Sequence, residues 1–355
     1  MNQNLNHILR QFNLGVEINP YGNGHINETY LVDCAPMTIL QKINTSIFNA
    51  ADVMENIAAV TEHLRKKIIA AGGDPLRETL TLVPTVDGKS YYTDPEGNAY
   101  RMYYFIQKAK TYDKAETPEM FAASAHAFGK FQKMLSDFPA HTLHEVISNF
   151  HNTADRLRQF REALEKDAAG RAASVQPEIN FVLSHADVVS RITDAIADGS
   201  VPLRVTHNDT KLNNVMLDDV THEGVCVIDL DTVMPGSMLY DFGDSLRFGA
   251  STGAEDETDL SKIEFDLTYF EAFTKAFIEE LGADMTARER ELLAFSALLL
   301  TLECGIRFLT DYLNGDTYFR IHREHHNLDR CRTQFKLVAD MEKKMDQMNA
   351  IVAKY

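Results

Sequence analysis

The spacing of apolar residues divides the chain into two stretches of different character. Up to about residue 106, short apolar runs are separated by turns rich in Gly, Asn and Asp, and helical spacing is sustained mainly over residues 52–69. The expected strands are a strand–turn–strand over 21–32 and single strands over 37–43, 79–83, 90–93 and 100–106. With a short helix over 1–15, this stretch predicts a largely antiparallel sheet that carries one main helix.

After Lys108 the helical period of apolar positions dominates. The expected helices are 118–137, 153–166, 177–198, 261–281, 286–313 and 330–355. Three short apolar runs interrupt them at 202–206, 215–217 and 225–228 and predict a strand followed by a hairpin. The pattern as a whole predicts an α+β fold of two lobes, an N-terminal lobe over 1–106 and a larger, mainly helical C-terminal lobe over 107–355.

Polar residues around the predicted hairpin carry the strongest chemical signal. The segment THNDTKLNNVML contains His207, Asp209 and Asn214, and the apolar run VCVI ends at Asp229. His-x-Asp-x-x-x-x-Asn followed by an Asp at a strand end is the arrangement in which kinases hold a base beside magnesium and ATP phosphates. Antiparallel pairing brings Asn214 and Asp229 together, so that an amide oxygen and a carboxylate can bind one Mg²⁺. The competing interpretation is an ordinary polar turn, which the ordered set of residues disfavours.

The N-terminal stretch offers residues that suit a nucleotide. Gly22 and Gly24 flank the first turn, where a missing Cβ lets backbone N–H groups approach a phosphate. Lys42, near the end of a predicted strand, is expected to reach the phosphates and to pair with a helical glutamate, for which Glu55 is preferred over Glu62.

Two further predictions concern the hinge and a second Asp-containing motif. Tyr104 and Ile106, where the sheet ends, are expected to present backbone groups to the adenine, although the same residues also suit simple sheet core. A literal Asp-Phe-Gly begins at Asp241, after the segment TVMPGSMLY. Because Asp229 ends the strand that pairs with the one after Asn214, we assign the metal to Asp229 and expect Asp241 to accept hydrogen bonds from the catalytic loop.

Composition and charge exclude several classes of function. The chain carries 52 acidic and 35 basic residues, a net charge of −17, which argues against a nucleic-acid partner or an anionic membrane surface. The four cysteines are far apart, which favours reduced thiols over a disulfide or zinc framework. The N-terminus lacks a secretory pattern, and the longest apolar run, 292–302, is too short to cross a bilayer and predicts a buried helix. We therefore expect a cytoplasmic protein and infer no protein partner.

Several segments together resemble a known family. YGNGHINETYLV, PLRVTHNDTKLNNVML and IDLDTVMPGSMLYDFGDSLRFGAS are similar to segments of the aminoglycoside phosphotransferase-like kinases, which share the protein-kinase fold. The resemblance extends over about residues 20–340, and within the family it is strongest to kinases of N-acetylhexosamines. The first turn reads Gly-x-Gly-x-x-Asn and lacks the third glycine of protein kinases, which predicts looser phosphate contacts.

The resemblance implies a reaction and a set of roles. ATP and Mg²⁺ would be used to phosphorylate the anomeric hydroxyl of N-acetylglucosamine or N-acetylgalactosamine, with Asp209 as the base. The residues that would line the sugar pocket are His25, Asp244, Arg307 and Tyr318. Lys211 follows the base by two positions, and we expect it to neutralise the transferred phosphoryl group; a surface lysine is the alternative.

Two alternatives stay open from the sequence. The first is a kinase of the same fold that acts on another hydroxyl compound, such as an aminoglycoside, choline, homoserine or a neutral hexose. The second is a catalytically silent nucleotide-binding protein, which the intact Lys42, Asp209, Asn214 and Asp229 oppose. We expect Arg307, charged and in an apolar helical setting, to pair with Asp244, and such a pair could be purely structural.

Overall fold

The computed structural model describes residues 2–14, 18–21 and 27–355, without the side chains of residues 2–4. Its first sheet is antiparallel throughout, with strand order β1-β2-β3-β5-β4. The strands are β1 (Ile18–Pro20), β2 (Glu28–Val32), β3 (Thr38–Ile43), β4 (Tyr92–Thr93) and β5 (Ala99–Tyr104). The helices of this part are α1 (Asn2–Arg10), α2 (Ala50–Ala70) and the short α3 (Pro75–Glu78). The predicted sheet with one main helix is confirmed.

The two faces of this sheet belong to different cores. Leu40 and Met102 pack with Ile8 of α1 in a small separate cluster, whereas Ile43 and Tyr103 join the main core together with α2. Successive side chains of a strand point to opposite faces, so neighbouring residues of β3 and β5 face different surroundings. This alternation determines which charged side chain of the sheet reaches the candidate site.

The predicted strand over 79–83 is wrong. The preceding residues form α3, which begins with Pro75 at its first position and is capped by the Asp74 side chain. Only Leu82 makes an isolated bridge, to Tyr103. The segment after α3 therefore meets β5 only briefly: the Tyr104 N–H donates to the Thr81 carbonyl (3.0 Å) and the Val83 N–H donates to the Met102 carbonyl (2.8 Å).

The remaining part of the chain is mainly helical. Its helices are α4 (Pro118–Met134), α5 (Thr153–Lys166), α6 (Gln176–Ser184), α7 (Arg191–Ala197), α8 (Met238–Gly249), α9 (Leu267–Leu281), α10 (Ala287–Leu313) and α11 (His326–Val352). Its strands are β6 (Ala109–Lys110), β7 (Arg204–Thr206), β8 (Val215–Asp218), β9 (Gly224–Val227) and β10 (Met234–Gly236). β6, β8 and β9 form one small sheet, and β7 pairs with β10.

Two predictions of this part need correction. The single helix expected over 177–198 is broken into α6 and α7, because the His185 ring bonds the Phe181 carbonyl and the Glu342 carboxylate where α6 ends. The segment containing Asp241, expected to follow a loop, lies inside α8, whose first turn is capped by the Ser237 hydroxyl.

The centre of the helical part is α10. Its first turn carries a reciprocal capping box between Thr286 and Glu289, and its most apolar 18-residue window is 89% buried in the protein. The helix is long and apolar enough to span a membrane by composition, but its burial identifies it as the predicted core helix. It packs against α5, α8 and α11, and Gly243 of α8 lets the two backbones approach closely at Ser296.

Candidate functional site

One buried carboxylate, that of Asp241, accepts hydrogen bonds from the backbone of the loop between β7 and β8. Its Oδ2 accepts from the backbone N–H of His207 (3.0 Å) and from Gln132 Nε2 (2.6 Å), and its Oδ1 accepts from the Asn208 N–H (2.8 Å). Burial raises the pKa of Asp241, and the His207 ring and these donors oppose the rise. The prediction that Asp241 orders the loop is confirmed.

His207 fixes the loop against the next hairpin. Its Nε2 lies 2.9 Å from the Ile228 carbonyl oxygen, and its Nδ1 accepts from the Asp209 N–H at 3.3 Å. The ring is buried and lies edge-on to Phe128 and Phe131. The loop is therefore tied to the residue that precedes Asp229.

The hairpin β8–β9 brings the predicted residues together as the sequence suggests. Val215 pairs with Val227, and the Ile228 N–H donates to the Asn214 carbonyl at 2.9 Å, so Asn214 and Asp229 lie at the same end. Asn214 Nδ2 donates to the Asp209 carbonyl (2.7 Å) and to Asp209 Oδ2 (3.1 Å). Both amide hydrogens are thereby used, which leaves Asn214 Oδ1 as an uncharged oxygen ligand.

Lys211 lies beside Asp209, as proposed from the sequence. Its Nζ is 3.1 Å from Asp209 Oδ1, and both side chains are partly exposed. Burial acts to lower the pKa of Lys211, but the carboxylates of Asp209 and Asp244 outweigh it and the pKa is raised. The ammonium is therefore charged and close to the carboxylate expected to take a proton.

Asp229 has the properties expected of a carboxylate that binds a cation. Its backbone is left-handed, with φ 59°. The residue keeps an exposed surface, but the protein around its carboxyl group, together with Asp231 and Asp209, raises its pKa to about 6. Within the described chain its carboxylate accepts no hydrogen bond.

These donors fit Mg²⁺. No three His, Cys, Asp or Glu side chains of the described residues form a ready-made metal cage. Mg²⁺ is usually held by one or two protein oxygens, with phosphate oxygens and waters completing its octahedron. Asn214 Oδ1 and the Asp229 carboxylate supply such a pair. A divalent cation would also reduce the electrostatic repulsion among the carboxylates of Asp209, Asp229 and Asp231.

A buried ion pair next to Asp229 was missed from the sequence. Arg101 of β5 and Asp231, 1% and 4% exposed, form a direct ion pair. Arg101 Nε also donates to Gln41 Oε1 at 3.0 Å, and Asn27 Nδ2 donates to Asp231 Oδ2 at 2.6 Å. The network ties the first sheet and Asn27 to the loop that carries Asp229. The available signal was an arginine in the middle of the apolar run AYRMYYF.

Lys42 and Glu55 do not form the predicted pair. Lys42 lies on the same face of β3 as Leu40, and its Nζ is 3.7 Å from the Glu28 carboxylate on β2. The Glu55 carboxylate instead contacts His144 Nε2 at 2.6 Å. The cation that the sheet directs toward the loop that carries Asp229 is therefore that of Arg101.

The predicted hinge and glycine turn are only partly described. Tyr104 donates its backbone N–H to Thr81 at 3.0 Å, so this donor is already used. The N–H of Ile106 has no backbone partner within the described ranges, although its side chain is buried in the core. Gly22, Gly24 and His25 lie outside the described residues. Ile106 is thus the better hinge candidate of the two.

Asp244 and Arg307 do not pair either. Asp244 Oδ2 accepts from the Thr210 N–H at 3.0 Å, and its Oδ1 lies 3.1 Å from Arg247 Nη2. Burial raises the pKa of Asp244, but Arg247 above all outweighs burial, so the net pKa is lowered and the residue is ionised. Asp244 therefore supports the loop between β7 and β8, since Thr210 directly follows Asp209.

Arg307 lies between aromatic rings and remains available. Its guanidinium carbon is 5.2 Å from the centre of Phe150 and 5.5 Å from that of Phe319, and it makes no ion pair within the described part of the chain. Burial and the charge of Arg307 together lower the pKa of Arg156. Tyr318 is 68% exposed beside Phe319. These side chains form a positively charged, aromatic-lined surface.

Comparison with known proteins bears on both sequence and fold. The sequence model of the phosphotransferase enzyme family matches residues 17–285. A microcompartment-associated aminopropanol kinase is 17% identical, with a TM-score of 0.66 over 97% of this chain and 98% of that one. An aminoglycoside phosphotransferase from Alicyclobacillus acidocaldarius is 12% identical, with a TM-score of 0.64 over 98% and 96%.

A third structure was solved with a nucleotide. A spectinomycin phosphotransferase in complex with ADP and spectinomycin is 13% identical, with a TM-score of 0.60 over 97% of this chain and 98% of that one. At such identities the likeness concerns the fold, and the predicted kinase-like fold is confirmed.

Proposed function

Because this chain belongs to the phosphotransferase enzyme family, whose sequence model matches residues 17–285, we propose that it is an ATP-dependent N-acetylhexosamine 1-kinase. Its substrates would be N-acetylglucosamine and N-acetylgalactosamine, phosphorylated on the C1 hydroxyl. The observation that carries the kinase assignment is the convergence of Asp209, Asn214 and Asp229 at one end of the β8–β9 hairpin. The solved relative that holds ADP supports ATP as the phosphoryl donor.

Each residue of the site would have a separate role in phosphoryl transfer. Asp209 orients the acceptor hydroxyl and takes its proton, while Lys211, 3.1 Å away, offsets negative charge on the transferred group. Mg²⁺ held by Asn214 and Asp229 would neutralise charge on the phosphates. The remaining contribution is placement, because in-line transfer needs positioned partners more than covalent help.

The charges near Asp209 favour a substrate whose groups accept hydrogen bonds over a substrate that carries an amine. An unpaired carboxylate would favour a protonated amine, but Asp244 is bonded to Arg247 and Thr210, and Glu303 is bonded to His151 and Thr153. The guanidinium of Arg307 is available and suits a carbonyl oxygen such as that of an N-acetyl group. This balance supports an N-acetylated sugar over choline or an aminoglycoside, two of the alternatives.

The proposal is tested by a panel of acceptors with coupled detection of ADP. We expect N-acetylglucosamine and N-acetylgalactosamine to turn over, glucose to react with a much higher KM, and choline, homoserine and aminoglycosides to be poor substrates. Asp209→Asn should lower turnover by roughly 10²–10⁴ while ADP binding persists. Turnover of an amine-bearing acceptor in preference to the sugars would overturn the substrate assignment, and near-normal turnover of Asp209→Asn would remove Asp209 as base.

A further inference from the structure

The peptide bond between Asn208 and Asp209 contacts a histidine on each side. The N–H of Asp209 donates to Nδ1 of His207, whose Nε2 lies against the Ile228 carbonyl. On the other side of the same peptide, the carbonyl oxygen of Asn208 is 3.2 Å from Nε2 of His151.

His151 faces only acceptors at its two ring nitrogens. Its Nδ1 is 2.8 Å from Glu303 Oε1, and the two side chains are 5% and 1% exposed. Burial raises the pKa of Glu303, but His151, Arg307 and the Thr153 hydroxyl together lower it below its usual value. An ionised carboxylate and a carbonyl oxygen can only accept, so each ring nitrogen of His151 is placed to donate a hydrogen bond.

The carbonyl that His151 contacts belongs to a residue in an unfavourable backbone conformation. Asn208 has φ 68°, in the left-handed region that costs a non-glycine residue free energy unless its surroundings impose it. Asp241 holds the Asn208 N–H, and the Thr232 carbonyl accepts from its side chain at 2.8 Å. His151 supplies the contact to the Asn208 carbonyl, in the peptide that leads directly to Asp209.

We propose that His151, as a cation paired with Glu303, is a positioning residue for phosphoryl transfer that fixes the Asn208–Asp209 peptide and so the Asp209 carboxylate. The inference rests on the proposed function, since it takes Asp209 as the base. His151 directly precedes the α5 cap and Glu303 lies on α10, so the pair ties the loop to the helical core. Loss of the contact lets the peptide rotate, and a displacement of about 1 Å can cost roughly 10²-fold in rate.

The kinetic test compares two substitutions with a matched control. His151→Leu removes the donor, whereas His151→Gln keeps an amide that can reach the Asn208 carbonyl. We expect His151→Leu to lower kcat by roughly tenfold or more, with His151→Gln recovering part of the loss and the KM for ATP nearly unchanged. The control is His185→Gln, because the His185 ring also lies between a carbonyl, that of Phe181 (2.7 Å), and a glutamate, Glu342 (2.9 Å), where α6 meets α11. Its kcat should equal that of the unmodified protein.

Two readouts do not depend on the sugar. Slow ATP hydrolysis without an acceptor should fall in His151→Leu and not in the control. Nitrogen NMR of ¹⁵N-histidine-labelled protein at neutral pH should show both His151 nitrogens protonated, with the resonances assigned by their loss in His151→Gln. A failed substrate panel with these two results intact would reject the sugar and support the role of His151. A neutral His151 ring, or normal kcat in folded His151→Leu, would overturn it.

Discussion

The buried pair of Arg101 and Asp231 yields the sharpest energetic prediction. Both side chains are almost fully buried, and each charge is compensated mainly by the other. Among the described residues, replacing Arg101 by Met leaves Asp231 with only the amide of Asn27 as a donor, so a nearly uncompensated carboxylate stays buried. Removal of one partner of a buried pair costs about 3–5 kcal/mol in the free energy of unfolding, whereas an exposed pair contributes about 0–1 kcal/mol.

The assay is equilibrium unfolding in denaturant, followed by Mg-ADP titration of the folded protein. We expect Arg101→Met to lower the free energy of unfolding by about 3 kcal/mol or more, and the double variant with Asp231→Asn to lose less than the sum of the single variants. Because Asp231 is two residues from Asp229, Mg-ADP affinity should also fall. The control is Arg204→Met in the pair with Glu289 (9% and 0% exposed), which should be destabilised with unchanged affinity.

The magnitude and the location of the effect are both open to refutation. A cost below about 1 kcal/mol for Arg101→Met would mean that the pair behaves like a surface pair. Equal losses of Mg-ADP affinity in the Arg101 and Arg204 variants would mean that the effect is global, not transmitted through Asp231.

Three shorter predictions follow from other parts of the site. Arg307→Met should raise the KM for the sugar far more than the KM for ATP, and steady-state kinetics with equal increases would point to a folding role. Asp241→Asn should lower kcat with an intact fold by circular dichroism, because an amide can accept from only some of the three donors that hold the loop. Gly243→Ala should lower the free energy of unfolding by about 1–3 kcal/mol, since a Cβ there would lie 2.5 Å from the Ser296 carbonyl; an unchanged unfolding midpoint would contradict the tight packing of α8 on α10.

The central hairpin could be predicted because its information is local. Asn214 and Asp229 stand on either side of two short apolar runs and a polar turn, and antiparallel pairing of such runs leaves them at one end. The same spacing favoured Asp229 over Asp241, in the Asp-Phe-Gly segment, as the candidate metal ligand. It also indicated that Asp241 supports the loop.

The role of Arg101 could not be predicted, because it depends on strand register. Gln41, not Lys42, is opposite Arg101 in the β3–β5 ladder, and a shift of one residue exchanges the two faces of a strand. The sequence marks Lys42 as the nearest candidate cation, but its face follows from pairing between segments about 60 residues apart. The contacts of Asp244 and Arg307 are likewise set by helix packing.

Helix α8 was missed for a different reason. An amphipathic pattern assumes one polar face toward water, but Asp241, Asp244 and Ser245 are all buried there with apolar neighbours. The acids are compensated by the catalytic loop and by Arg247 rather than by solvent. Elements that carry a functional polar network on a buried face therefore lose the periodicity by which helices are recognised.

The most direct measurement is the position of the phosphate in the reaction product, by phosphorus NMR with N-acetylglucosamine and MgATP. We predict one new monoester resonance coupled to the anomeric proton, and no such resonance with the Asp209→Asn variant. A phosphate on another hydroxyl, or the same product formed by the variant at an unchanged rate, would contradict the account.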